Sequence, residues 1–248
     1  MSRIKFLNTY IDSVTKEEAV KVVESMIQER KSKYIVTPNT DIIVKMQKNE
    51  ELKKACDNAD LILTDGQMLV SISKWLGTPI RERVCMTDFI WQICELSVEK
   101  EYSIFFFGGR EDVLTKGIDK IKMRYSDLKI AGSYSPPLGF EEDEKELDKA
   151  LEKLKGSGAD ILIVFLGCPK QEIFIARHKD ICDIPVSITM GGCIDFIGSG
   201  IKRAPVWMQR IGMEWFFRFI QEPRRLFKRY FVDDIQIFPL ALKYKFKP

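Results

Sequence analysis

Asp160-Ile-Leu-Ile-Val-Phe-Leu-Gly167 is an unbroken apolar run closed by a glycine, and Cys168-Pro169-Lys170-Gln171 leads from it directly into a segment of helical length. A strand with one wet face alternates polar and apolar residues. This run does not alternate, so both of its faces are covered, as in a parallel sheet with helices on both sides. Apolar, β-rich runs at 34–37, 61–64, 103–108, 128–134 and 185–192 read the same way. Between them, 41–58, 66–76, 86–100, 111–125, 141–156 and 170–180 have the length and spacing of helices, which requires right-handed crossovers between parallel strands. Thr15 and Glu18 form a capping box for a helix at 16–30, after a short edge strand at 3–7. The expectation is an α/β, Rossmann-like, mostly parallel sheet flanked by helices.

The charge is unevenly spread. Residues 201–248 hold eleven Lys or Arg against four Asp or Glu, net +7, while residues 1–200 carry net −4. Eleven of the 27 aromatic residues also lie in this tail, among them Trp207, Trp215, Phe227 and Tyr230. Met208, Ile211, Trp215 and Phe219 recur at helical spacing ahead of Pro223-Arg224-Arg225. The chain therefore divides into an α/β core, 1–200, and a basic, aromatic-rich helical appendage, 201–248, suited to an anionic and partly apolar surface. Packing of these aromatics on the sheet or in a homo-oligomer interface is the blander use, and a nucleic-acid-binding tail is the reading from another class.

With 45% hydrophobic and 30% charged residues in 248, the chain can bury a full core, which argues against disorder. Six cysteines at 56, 85, 94, 168, 182 and 193 form no CxxC pair, and the single His178 completes no zinc set. They read as reduced, mostly buried thiols. The N-terminus lacks the apolar stretch of a signal peptide, and no run has the roughly 18 apolar residues of a membrane span. The expected location is cytoplasmic.

Chemistry-capable residues stand where strands end: Thr37-Pro38-Asn39, Thr64-Asp65-Gly66, Gly108-Gly109-Arg110, Gly167 to Gln171, and Gly191-Gly192-Cys193-Ile194-Asp195. Open parallel sheets bind ligands beyond the carboxyl ends of their strands, so these turns are expected to surround one site. The glycine pairs either hold a phosphate at a helix start or permit tight packing. Asp65 and Asp195 are each a general base or a helix N-cap. Thr37 and Asn39 orient a sugar or nucleotide, or start a turn and cap a helix. His178, on a polar helix end, reads as a surface residue, which disfavours His-dependent nucleophilic schemes. No DxD occurs, so no metal and no other cofactor is signalled. Charge on a departing diphosphate then falls to backbone donors and to cations such as Arg83, Arg110, Lys170 and the tail arginines.

In this order, Thr37-Pro-Asn39, Asp65-Gly66, Glu82-Arg83-Val84, Phe107-Gly-Gly109, Leu166 to Glu172, Gly191 to Phe196, Lys202-Arg-Ala-Pro205, Trp207-Met-Gln209, Glu214-Trp215 and Gln221-Glu-Pro-Arg-Arg225 resemble the bacterial WecG/TagA/CpsF glycosyltransferases over nearly the whole chain. The resemblance implies metal-free transfer of a sugar, with inversion, from a UDP donor to a polyprenyl-diphosphate-linked N-acetylglucosamine at the inner membrane face. In the teichoic-acid branch the donor is UDP-N-acetylmannosamine and the linkage β1,4 to the C4 hydroxyl. It further implies Asp65 as base, with Thr37, Asn39, Arg83 and Gln171 lining the pocket. Gly108, Gly109, Gly191, Gly192 and Asp195 are added as substrate contacts, and Arg218, Arg224 and Arg225 as contacts to diphosphate or membrane. Two stretches depart from the family pattern: Cys85-Met86 before Thr87-Asp88, and Gly66-Gln67-Met68 in place of a more glycine-rich turn.

Overall fold

Both faces of the central sheet are apolar because its strands place large side chains alternately up and down, with helices over each. A computed structural model describes residues 2–210 and 212–246, the side chain of Arg210 excepted. Ile211, placed by its spacing on the apolar face of the tail, lies outside the described residues. The sheet has six strands, β3 (Lys33–Val36), β4 (Leu61–Ile62), β5 (Ser103–Gly108), β6 (Lys129–Tyr134), β7 (Ile161–Phe165) and β8 (Val186–Thr189), in the order β4-β3-β8-β7-β5-β6. Every pairing is parallel. The chain steps outward from β3 to β4 on one side and from β5 to β6 on the other, and β7 and β8 fill the middle. Such a reversal of strand order opens a crevice at the carboxyl ends.

Tyr34, Val36, Phe105, Phe107, Leu162 and Val164 face one layer, covered by α2 (Thr40–Lys45), α3 (Glu50–Asp57), α4 (Gln67–Leu76), α7 (Glu144–Lys155) and α8 (Lys170–Cys182). Ile35, Ile104, Phe106, Ile163 and Ile188 face the other, under α1 (Lys16–Glu29), α5 (Met86–Glu99), α6 (Glu111–Arg124) and α9 (Cys193–Gly198). Each fully buried Phe or Ile contributes about 1.5–3 kcal/mol by leaving water.

The capping box of α1 is formed, Glu18 N–H donating to Thr15 Oγ1 at 3.2 Å and Thr15 N–H to Glu18 Oε2 at 3.0 Å. Three expectations are corrected. The strand at 3–7 is β1 (Ser2–Phe6), paired not with the sheet edge but with β2 (Thr9–Ser13) in an antiparallel hairpin. The helix expected at 41–58 is two, because Asn49 takes a β conformation and caps α3 by accepting from Leu52 N–H at 2.9 Å. The helix at 141–156 begins as a 3-10 turn, Phe140–Glu142, and restarts at α7 with Asp143 as N-cap.

The tail continues with α10 (Val206–Arg210), α11 (Glu214–Gln221), α12 (Pro223–Lys228), a π-helical turn Arg229–Asp233, a 3-10 turn and α13 (Ile237–Phe246). It is anchored at both ends. Arg203 donates to Asp88 of the body at 2.8 Å, and Gln221 closes the segment by accepting from Lys202 N–H at 3.2 Å and donating to Lys202 O at 2.9 Å. In α13, Ile237, Leu240 and Ala241 join the core layer under α2 and α4. Lys245 donates to Trp75 O at the end of α4, 2.8 Å, where a cation offsets the helix dipole. Between these anchors the tail exposes apolar surface: 13 of the 19 exposed large apolar side chains among the described residues lie at 206–246. No described helix is long and apolar enough to cross a membrane.

Candidate active site

Beyond β4, Asp65 is held by its backbone on both sides. Its N–H donates to Pro38 O at 3.0 Å, and Val84 N–H donates to Thr64 O at 2.9 Å. Gly66 follows at φ +156°, which side-chain-bearing residues rarely adopt. The N-cap of α4 is this glycine, without a side-chain cap bond. The Asp65 carboxylate is therefore not spent on capping; among the described residues it accepts no hydrogen bond. It is half-buried, and desolvation pushes its pKa up to about 6, with Arg83, Arg218 and Arg229 pulling down and Glu214 pushing up. That suits a base working near neutral pH.

The neighbouring turns give the site its floor. Thr37 is 4% exposed and donates to Thr189 O at 2.9 Å, tying β3 to β8. Asn39 accepts from Ile42 N–H at 3.2 Å and so caps α2, its amide half-buried. Gln171, 3% exposed, accepts from Gly191 N–H at 3.0 Å and donates to Glu172 at 2.7 Å. Thr37 and Gln171 thus use their polar atoms to join strand ends. Burial pushes the pKa of Glu172, the partner of Gln171, up to about 7.

The two glycine pairs differ. A Cβ on Gly108 would meet Leu166 Cδ2 at 2.9 Å and the Phe165 carbonyl carbon at 3.0 Å, so this glycine lets β5 approach β7 closely. Glu111 and Asp112 occupy the first turn of α6, and Arg110 pairs with Asp112 at 3.1 Å, so this helix start already carries its own anionic complement. Gly192 is exposed, and a Cβ there would lie 3.2 Å from Asp195 Oδ2 and 3.4 Å from Arg218 Nη2. Asp195 is half-buried, its pKa raised by burial and pulled back by Arg218 and Arg225.

The tail enters the site through α11 and α12. The Arg218 guanidinium lies over the Phe196 ring, 4.8 Å from its centroid, and its buried Nε has no hydrogen-bond partner among the described residues. Burial lowers its pKa. Arg225 pairs with Glu222 at 2.8 Å, and both Arg224 and Arg225 are exposed. Gly212 packs against Gln67, where a Cβ would meet Gln67 Cγ at 3.0 Å. A cleft of about 230 Å³ opens between Gln67, Arg83, Cys85 and Asp88 of the body and Val206 and Gln209 of the tail.

Several residues here were not singled out from the sequence. Glu214 accepts from Arg83 at 3.1 Å and from Arg203 at 3.1 Å, and Arg203 also pairs with Asp88 at 2.8 Å. Arg229 lies 3.9 Å from Asp41 and 3.8 Å from Asp234. Glu214 and Arg203 fall in the motifs Glu214-Trp215 and Lys202-Arg-Ala-Pro205, but their pairings with Arg83 and Asp88 cross 131 and 115 positions and have no local signal. His178, far along α8, is half-buried with its ring 5.1 Å from that of Phe174, not a bare surface residue. All six cysteines are free thiols.

The model of the glycosyl transferase WecG/TagA/CpsF family matches residues 4–248. Two curated relatives are similar over most of their length. The N-acetylglucosaminyldiphosphoundecaprenol N-acetyl-beta-D-mannosaminyltransferase of Bacillus spizizenii (strain ATCC 23059 / NRRL B-14472 / W23) is 29% identical over 216 residues, 87% of this chain and 82% of the relative. The protein of the same name from Bacillus subtilis (strain 168) is 31% identical over 191 residues, 77% of this chain and 72% of the relative.

Proposed function

The chain belongs to the glycosyl transferase WecG/TagA/CpsF family, and from that premise we propose that it moves N-acetylmannosamine from UDP-N-acetylmannosamine to the C4 hydroxyl of an undecaprenyl-diphosphate-linked N-acetylglucosamine. The names of its relatives support the acceptor and the transferred sugar. The observation that carries the reading is Asp65: a half-buried carboxylate with no hydrogen bond among the described residues, just beyond a strand end, with arginines from body and tail around it.

In the proposed step Asp65 takes the proton of the acceptor hydroxyl as its oxygen forms a bond to the anomeric carbon. The bond from that carbon to the diphosphate breaks on the opposite face, and UDP leaves with the electron pair. One displacement inverts the centre, through an oxocarbenium-like state. Arg218, Arg224 and Arg225, with the backbone of the Gly191-Gly192 turn, meet the charge that builds on UDP. Loss of one such donor costs about 3–4 kcal/mol in comparable sites. Metal independence belongs to the proposal. The exposed aromatics and basic residues of 201–248 seat the protein on an anionic membrane, where its lipid-linked acceptor resides.

The test is UDP release by purified protein with this donor and a lipid-diphosphate-N-acetylglucosamine analogue, with EDTA present. Acceptor-dependent turnover that survives EDTA and drops by about 10²–10⁴ in Asp65→Asn is the expected result. Turnover only with a different UDP-sugar would move the protein to another surface-polysaccharide pathway. Turnover abolished by EDTA and restored by a divalent cation would overturn metal independence.

A further inference from the structure

Arg83 lies close enough to Asp65 to pull its pKa down, yet its guanidinium pairs with another carboxylate. Nη2 donates to Glu214 Oε2 at 3.1 Å, and no ion pair joins Arg83 to Asp65 among the described residues. Glu214 is held from its other side, where Oε1 accepts from Arg203 Nε at 3.1 Å. Arg203 in turn is clamped to Asp88 in the first turn of α5. The chain Asp88, Arg203, Glu214, Arg83 runs from the body through the tail and back, and the side chains of its last three members are each less than 30% exposed.

We propose that Glu214 is a positioning residue: seated between Arg83 and Arg203, it holds the Arg83 guanidinium off Asp65, so that the Asp65 carboxylate stays unpaired and open to the acceptor hydroxyl. The proposal rests on the reading of Asp65 as base. Val84 N–H donates to Thr64 O at 2.9 Å, so the residues Arg83 and Asp65 flank one backbone hydrogen bond, and a guanidinium released there pairs with the lone carboxylate, because a desolvated carboxylate gains most from a charge-assisted donor. A carboxylate so paired is a weaker base and is covered on its reacting face. Glu214 prevents this by being the better-placed partner. Its own charge also opposes ionisation of Asp65, in the same direction.

The charged and titratable groups facing Asp65 come from every neighbouring element: Arg83 and Cys85 before α5, Cys193 of α9, Glu214 and Arg218 of α11, and Arg229 after α12. Cys85 and Cys193 have raised pKa values through burial and stay neutral thiols. Near neutral pH, Glu214 is therefore the negative group in this set whose removal shifts the balance, leaving Asp65 among arginines alone.

The experiment is a carbon-13 NMR titration of the side-chain carboxylates in the full chain, with the Asp65 signal assigned by its loss in Asp65→Asn. The acid limb of kcat/KM is measured alongside. In Glu214→Gln, the Asp65 titration is expected to move to lower pH by roughly half a unit or more, with the acid limb following it and kcat falling. Arg203→Lys, which keeps the charge but loses the planar fork, separates positioning from tail anchoring: it is expected to lower Tm and leave the titration where it was. An unmoved or upward-moving Asp65 titration in Glu214→Gln overturns the proposal, and so does an equal downward shift in Arg203→Lys. A downward shift in a protein with no acceptor-dependent UDP release would leave Glu214 as the spacer of Arg83 and overturn the base role instead.

Discussion

A carboxylate kept half-buried and unpaired costs stability, and at Asp65 the sign can be worked out. Its folded pKa, about 6, is above its ordinary value of 3.8, so the folded state binds the proton more tightly than the unfolded chain does. The group is neutral, and harmless, below pH 4. Between pH 4 and 6 it becomes a charge that the fold accommodates less well than water does, and above pH 6 the full penalty is present. Asp65→Asn resembles the neutral form at every pH. It should equal the parent in stability below pH 4 and exceed it by about 1–3 kcal/mol at pH 8, read from urea midpoints at the two pH values. A variant no more stable at pH 8 than at pH 4, relative to the parent, would mean that Asp65 is well solvated. Asp65 itself was legible in the sequence, because a polar residue between a buried run and a glycine stands out. Its neighbours were not: Arg83 and Glu214 are 131 positions apart, and no short-range pattern joins them.

At the scale of elements, the α6–α9 contact shows what a short helix needs in order to sit at a strand end. A Cβ on Gly198 would meet Val113 O at 2.1 Å, and one on Gly117 would meet Ile194 Cδ1 at 2.4 Å. The first obstacle is backbone, and the second is the far end of a flexible side chain. Gly198→Ala should therefore cost about 2–4 kcal/mol and Gly117→Ala about 1, since Ile194 can change rotamer while α6 cannot move without its layer. Thermal melts of the two variants test the order, and equal losses would contradict it. Five of the six sheet strands could be read because their runs are buried on both faces; β6, an edge strand with no buried residue, was read from its β-rich run instead. Six-residue α9, flanked by glycines and too short for a periodic face, could not be. The break between α2 and α3 had a readable signal in Asn49 ahead of Glu50 and Glu51, outweighed by the apolar spacing on either side. The hairpin partner β2 was lost because Thr9–Ser13 alternates too briefly to be separated from a loop.

Over the whole molecule, charge and apolar exposure are concentrated in the same 48 residues, and this asymmetry was plain from composition alone. Composition could not show that the tail has two sides, one packed by Leu226, Ile237, Leu240 and Ala241, the other open. Phe227, at 57% exposed, and Ile220, at 60%, belong to the open side. The double variant Phe227→Ser, Ile220→Ser should keep the parent's Tm within about 2 °C, because surface positions carry little stability. It should pellet several-fold less with vesicles containing anionic lipid, and the parent's pelleting should fall as NaCl rises. Undiminished pelleting of the double variant would place the lipid contact elsewhere on the molecule.

The surroundings of Asp65 also carry a direction in time. Glu214, Arg218 and Arg229, three of the charges that face it, come from residues synthesised at least 149 positions after it. A ribosome adding about 5–20 residues per second needs roughly 7–30 s to pass from Asp65 to Glu214. Late in that interval the sheet, whose last strand ends at Thr189, can already be complete while Arg83 is the one charge among those named that Asp65 has beside it. Each newborn chain is thus chemically immature until residues 214–229 emerge and fold back, and a chain that stalls or is clipped before Glu214 carries Asp65 without the charges that shape its surroundings.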